Sequence, residues 1–269
     1  MFSRTISKVA LAACSAVLPA SAGAAIIEWD FTTGVVTEVN PGTSGNIRSK
    51  TVSGVEATAS AWSNTADQNG TSNIVIQDAY LGLYGGGGLG VTNRDAISCN
   101  ANNSGDHCER NSPEHAVDND QRFDSVRISF GHTPVNLTNV AVGYVDDDAD
   151  ITVLASNGAA LAGRTYGDVT TGLVAAGWTL IGNYANLAQN TLRSISNTAY
   201  ATDWLIFAYH PDFGSGGMLS AGNDHFKLKL VQGDTRQVGN TRQVPEPGTL
   251  LLLGAALAGI WWRRRVARR

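Results

Sequence analysis

Charge is scarce in this chain of 269 residues, with 16% Asp, Glu, Lys or Arg, and aromatic residues make up only 7%. Proline (7), cysteine (3) and methionine (2) are few in number. No three-residue period runs through the 30 Gly, which excludes a collagen, and apolar residues at 43% are too many for a wholly disordered chain. Positive charge is not in surplus: the formal net charge is −4, which argues against nucleic acid as a partner. There is no Gly-x-Ser-x-Gly nucleophile elbow and no His-Glu-x-x-His zinc helix. What remains is an ordinary globular composition with a glycine bias, and the length allows one large β domain of about 200–250 residues.

The two ends differ from the rest. Arg4 and Lys8 precede an apolar run from Val9 to Leu18 and then Pro19-Ala20-Ser21-Ala22-Gly23-Ala24-Ala25, the layout of a secretory signal peptide cut after Ala22 or Ala24. Leu11-Ala12-Ala13-Cys14 offers a competing lipoprotein cleavage box. At the other end stand Val244-Pro245-Glu246-Pro247-Gly248-Thr249, an uncharged stretch to Trp262, and Arg263-Arg264-Arg265-Val266-Ala267-Arg268-Arg269. Pro245 and Pro247 disfavour regular structure and hold an accessible backbone for a processing enzyme. The uncharged run makes about 22 Å of helix, short for a hydrocarbon core of about 30 Å. Trp261 and Trp262 suit the membrane interface and the arginines a cytoplasmic side.

Pro-Glu-Pro, a short apolar helix and a terminal arginine cluster resemble the PEP-CTERM sorting signal of Gram-negative bacteria. The resemblance implies recognition of Pro245, Glu246 and Pro247 by a membrane-embedded exosortase, with Arg263, Arg264 and Arg265 as the membrane-stop cluster. It also implies a precursor held transiently in the inner membrane, then release or transfer to the cell surface and the exopolysaccharide matrix. Within Ala116–Leu230, the runs Asp118-Asn119-Asp120, Phe123-Asp124-Ser125, Asp147-Asp148-Ala149-Asp150, Trp204-Leu205-Ile206 and Asp224-His225-Phe226 resemble other exosortase-dependent surface proteins. The expected organisation is a signal peptide at 1–24, a β-sandwich domain at 25–234, a linker at 235–244 and the sorting signal at 245–269, with a transmembrane helix at 249–262.

Between Ile26 and Val244 there remain 12 Lys and Arg against 22 Asp and Glu, a net charge of −10. The exported domain is therefore acidic, suited to cations and ill suited to phosphate backbones or anionic lipid. Cys99 and Cys108 flank a polar loop of eight residues. In an oxidising compartment the pair reads as a disulfide; a metal site with His107 is the rival, short of a fourth ligand.

Hydrophobicity alternates with period two. Val126, Ile128 and Phe130 alternate with Ser125, Arg127 and Ser129, and Phe226, Leu228 and Leu230 with Lys227, Lys229 and Val231, one dry and one wet face each. Ile26–Phe31, Val52–Trp62, Ile74–Tyr84, Leu137–Val145, Ile151–Ala155, Trp178–Gly182, Leu192–Ser196 and Trp204–Tyr209 read as further strands between Gly, Asn and Asp clusters. The fold class predicted is all-β, an antiparallel two-sheet sandwich of jelly-roll type.

Asp146, Asp148 and Asp150 would share a face at a strand end, and Asp118 and Asp120, with Asn119 and Asp124, form a second oxygen-rich cluster. Packed carboxylates repel unless a hard cation or water relieves them, so calcium is the candidate cofactor and solvated turns are the alternative. No carboxylate pair stands out as a glycosidase acid and base. His107, His115, His132, His210 and His225 are scattered and read as loop or cap residues. Gly85 to Gly90 reads as a hairpin loop. Trp62, Trp178 and Trp204, with Tyr80, Tyr84, Tyr144, Tyr184 and Tyr209, are candidates for a sugar-binding face or for core. The function expected is a non-enzymatic, exosortase-sorted surface or matrix protein associated with exopolysaccharide and biofilm, processed by signal peptidase and exosortase, with glycan binding as a candidate property. The alternatives are a secreted polysaccharide-active hydrolase and an uncleaved, membrane-anchored envelope protein.

Overall fold

A computed structural model describes residues 25–66, 75–95, 115–120, 122–167, 170, 172–236 and 247–267. The signal peptide at 1–24, Cys99, Cys108, His107, Pro245 and Glu246 lie outside the described residues. The strands in chain order are β1 (Ile27–Asp30), β2 (Thr37–Val39), β3 (Ile47–Val52), β4 (Val55–Ala66), β5 (Val75–Asp78), β6 (Tyr80–Tyr84), β7 (Gly88–Thr92), β8 (Val117–Asp118), β9 (Asp124–Ser129), β10 (Val135–Asp147), β11 (Ile151–Ser156), β12 (Thr179–Tyr184), β13 (Arg193–Ser194), β14 (Asp203–Ala208) and β15 (Asp224–Thr235). A helix, α1 (Pro247–Val266), follows.

These strands make two antiparallel sheets. The first runs β13-β10-β15-β7-β6, with β1 and β8 also on β15; the second runs β12-β11-β14-β9-β4-β3-β2, with β5 on β4. Their inward faces meet in one main core: Leu137, Val140, Phe226 and Leu228 from the first sheet, and Ala57, Ala59, Ala61, Val126, Ile128, Ile151 and Trp204 from the second. Two indoles stitch the layers together. Trp29 Nε1 on β1 donates to Val55 O at 3.0 Å, and Trp204 Nε1 on β14 donates to Val135 O at 3.1 Å, so each buried ring satisfies its one donor across the sandwich.

The predicted alternation holds on β9 from Val126 to Ser129, where Val126 and Ile128 are buried and Arg127 and Ser129 are half-exposed, but Ser125, expected on the wet face, is fully buried. It fails on β15. Ala141 pairs with Leu230 but Val142 with Leu228, which leaves Lys229 as an extra residue in the ladder. This bulge flips the side-chain order, so Val231, expected on the wet face, enters the main core. Lys227 is not wet either: it is 7% exposed, with its ammonium 4.1 Å from the Tyr144 ring centroid and 5.2 Å from that of Tyr84.

Two predicted strands are each divided. The run expected from Val52 to Trp62 contains a two-residue hairpin turn, because Ser53 and Gly54 both have positive φ (50° and 79°) and Val52 pairs with Val55. The run expected from Ile74 to Tyr84 breaks at Ala79, with β5 in the second sheet and β6 in the first. The glycine loop does join a hairpin, β6 to β7, but Gly88 and Gly90 belong to β7 itself. A Cβ on Gly90 would lie 1.9 Å from His115 O, so this strand passes too close to its neighbour for any side chain.

Outside the second sheet lies a second core, made of Ile76, Leu154, Leu161, Tyr166, Leu173, Trp178, Leu205, Phe207 and Phe213. Leu161, Tyr166, Leu173 and Trp178, which come between β11 and β12 in the chain, are four of these residues and so lie over the outward side chains of β11 and β14. Trp178 at 1% and Trp204 at 0% exposure are therefore core residues of two different clusters, and the aromatic side chains do not form a single sugar-binding face.

Candidate functional site

The β10–β15 ladder ends at Asp147 and Asp224, and there the acidic run divides. Asp147 takes a left-handed φ of 58°, which its short polar side chain tolerates. Beyond this turn the fates differ: Asp146 and Asp147 are exposed, Asp148 is half-buried and Asp150 is fully buried. Asp148 and Asp150 meet Asp224, fully buried at the start of β15, with ligand-type oxygens of all three within 4.8 Å of one another.

Every carboxylate in this cluster accepts from nearby donors. Asp150 N donates to Asp224 Oδ1 at 2.6 Å and Asn119 Nδ2 to Asp224 Oδ2 at 2.5 Å. Asn186 N and Ser220 N donate to the two oxygens of Asp150 at 2.7 and 2.8 Å. Asp148 accepts from Ala149 N at 2.8 Å and from Ser220 Oγ at 3.3 Å. Asn119 closes the knot by donating to Tyr209 O and accepting from Gly222 N and Asp224 N. Burial raises the pKa of Asp150 against the main-chain donors that lower it, and Asp148 adds repulsion. Burial likewise pushes Asp224 up to about 7, with the charges of Asp150 and Asp148 adding to the rise.

Among the described residues, Asp148, Asp150 and Asp224 are the group that could hold a hard cation such as calcium, which takes oxygen ligands only. Of the carboxylates singled out in the sequence, Asp148 and Asp150 are brought together, while Asp146, Asp118 and Asp120 stay outside this trio. Asp118 instead shapes its own loop, accepting from Asp120 N at 3.3 Å. Asp224 and Asn119 were not foreseen as partners, because Asp224 lies 74 residues from Asp150 and 105 from Asn119, and only pairing of β15 with β8 and β10 makes them neighbours. His210 is a cap: its Nδ1 accepts from Asp212 N at 3.2 Å at the start of a short 3₁₀ turn, and burial lowers its pKa.

The second candidate is the tail. Pro247 opens α1, since the first turn of a helix does not need the missing N–H, so regular structure begins two residues earlier than expected. The helix also continues through Arg263, Arg264 and Arg265. The guanidinium of Arg265 lies 5.0 Å from the Trp261 ring centroid. Leu252, Leu253, Leu257, Ile260, Trp261 and Trp262 are all exposed. A transmembrane helix was expected at 249–262, but among the described residues no helix is long and apolar enough to cross a membrane. The physical reason is that the uncharged part, Pro247 to Trp262, spans about 24 Å at 1.5 Å per residue and is diluted by Gly and Ala.

The chain is thus a two-sheet β protein followed by a helical segment with a basic end. A family model for the PEP-CTERM protein-sorting motif matches residues 243–265. The chain carries this motif, which implies processing by exosortase and sorting to the cell surface. No curated protein and no solved structure matches the chain.

Proposed function

We propose that this is a non-catalytic exported protein, cut by signal peptidase and exosortase and held at the cell surface in the exopolysaccharide or biofilm matrix. The observation that carries the reading is the sorting motif at residues 243–265. A helix too short to be a comfortable permanent anchor supports release after processing. The acidic β domain supports a life in water among glycans, away from anionic lipid and nucleic acid.

One observation favours a hydrolase instead: Asp224 is pushed up to about 7 beside Asp150, as a general acid beside a carboxylate would be. Access speaks against it. Asp224 and Asp150 are fully buried, and both oxygens of each already accept hydrogen bonds, which leaves no approach for a glycosidic oxygen.

The test is an intact mass of the protein recovered from the cell-surface fraction, before and after reduction. The expected mass starts near Gly23 or Ala25, ends near Pro245 and gains two hydrogen atoms on reduction of a Cys99–Cys108 disulfide. A mass that retains Trp261 and the arginine cluster overturns the sorting reading in favour of an anchored envelope protein.

A further inference from the structure

The outer face of the second sheet is finished in two ways. Over Leu154, Leu205 and Phe207 it is roofed by the second core. Beside that roof, Thr58, Ser60 and Trp62 of β4 and Arg127 and Ser129 of β9 point the same way, since they alternate with Ala57, Ala59, Ala61, Val126 and Ile128 of the main core. All five are half-buried, and together with Asp78 they line an open groove of about 340 Å³.

The chemistry of this groove is narrow. Its floor is short hydroxyl side chains, so nothing from the sheet fills it. Trp62 packs against the second core and also lines the groove, and its Nε1 donates to Ser60 Oγ at 2.9 Å, which fixes the ring. The charged side chains are already paired. Arg127 donates through Nε and Nη2 to Asp203 Oδ1 at 3.0 and 2.7 Å, and Arg94 Nη2 meets Asp78 Oδ1 at 2.5 Å. Burial opposes the ionisation of Asp203, yet Arg127 overrides it and holds this carboxyl below its usual range. An anionic ligand would have to compete with Asp203 for Arg127, and a cation with Arg94 for Asp78.

The ligand that fits is uncharged, offers hydroxyls to a guanidinium, a carboxylate and Ser or Thr side chains, and presents a face of C–H bonds to an indole. We infer that the groove at Thr58, Ser60, Trp62, Asp78, Arg127 and Ser129 binds a neutral polysaccharide, with one pyranose ring against Trp62. The volume is at the small end of ligand sites, about 300–1,000 Å³, as suits one ring of a chain that continues over the open sheet. The inference rests on the surface-matrix reading only for where such a ligand would be met. Binding to purified polysaccharide and the mass of the surface form succeed or fail independently.

The experiment is affinity electrophoresis of the full chain in native gels containing hydroxyethyl cellulose or dextran, both neutral, or alginate, a polyuronate. Retardation in a neutral gel, persisting at raised salt and absent in alginate, is the expected result. Trp62→Ala should weaken binding at least about tenfold, while Trp62→Phe, which keeps a ring to stack, should retain most of it. Because Trp62 also touches the second core, Thr58→Tyr serves as a second variant: it fills the groove at an outward strand position, leaves the melting temperature unchanged and should abolish retardation. No retardation in either neutral gel, retardation in alginate alone, or binding that survives both Trp62→Ala and Thr58→Tyr overturns the inference. Retardation that survives both would assign the glycan to another face.

Discussion

The two hydrophobic clusters lie on opposite faces of the same sheet, yet they hold different things. The main core takes side chains from both sheets and is crossed by two indole hydrogen bonds, so no strand can leave it without exposing both layers. The second core is roofed by a loop: Leu161, Tyr166, Leu173 and Trp178 cover Leu154, Leu205 and Phe207, and Tyr166 Oη donates to Phe123 O at 3.0 Å and lies 2.9 Å from Ser125 Oγ. A cluster covered mainly by one segment, with Ile76 and Phe213 at its side, can open while the sandwich stays closed. The comparison therefore predicts global unfolding from one and local opening from the other.

The largest effect should come from Trp204→Ala, which empties a fully buried site and removes the indole donor that Val135 O shares with Ala201 N: a loss of about 3–5 kcal/mol in urea unfolding, or no soluble protein. A loss under about 1 kcal/mol would mean that the sheets do not unfold as one unit. Leu173→Ala, also fully buried, should cost about 2 kcal/mol, since the loop can settle into the space. Its signature is in hydrogen exchange: faster exchange across 157–178, with β9 and β10 unchanged. Equal acceleration everywhere would erase the distinction between the two cores.

The two clusters were not equally legible in the sequence. Val126 and Ile128 show strand alternation because β9 buries these side chains against the opposite sheet. The unbroken apolar run Trp204 to Tyr209 fits a strand buried on both faces, but nothing local says that a distant loop covers Leu205 and Phe207. The β15 bulge is hidden for a related reason: Lys229 looks like any alternating lysine until its partner strand skips it. The acid knot was half legible. Asp148 and Asp150 stand out as neighbours in an acidic run, whereas Asp224 and Asn119 join them only through sheet pairing. The tail was the most legible part, because an enzyme reads it as a linear sequence.

The knot itself ties the ends of the two sheets and should make stability depend on pH. Burial favours the uncharged form of Asp224, so its contribution is fully present in acid, near the ordinary carboxyl pKa, and is lost as pH rises toward about 7. Asp150 shifts in the same direction. In chelator at low ionic strength the protein should thus be more stable at pH 5 than at pH 8, by on the order of 1–3 kcal/mol after screening by water. Asp224→Asn should flatten that slope; an unchanged slope would assign it to other groups. Millimolar calcium that removes the slope and raises the melting temperature at pH 8 would make the knot a cation site, and no change would leave it a hydrogen-bonded clasp.

The smallest effect concerns the hairpin that carries the unroofed half of the second sheet. Ser53 and Gly54 both sit at positive φ, the geometry of a two-residue turn whose first position favours Asn over Ser. Gly54 is already suited to its place, and Ser53 is exposed, so only backbone preference is at stake there. Ser53→Asn should therefore raise stability by about 0.5 kcal/mol, read as a shift in the urea midpoint with an unchanged slope. Glycan retardation should stay the same, because β3 and β4 keep their register and Thr58, Ser60 and Trp62 keep their outward face. A gain in stability accompanied by a change in binding would show that the unroofed half of the sheet moves as it binds, and that its bareness, unlike the roofed half, is a source of flexibility as well as of access.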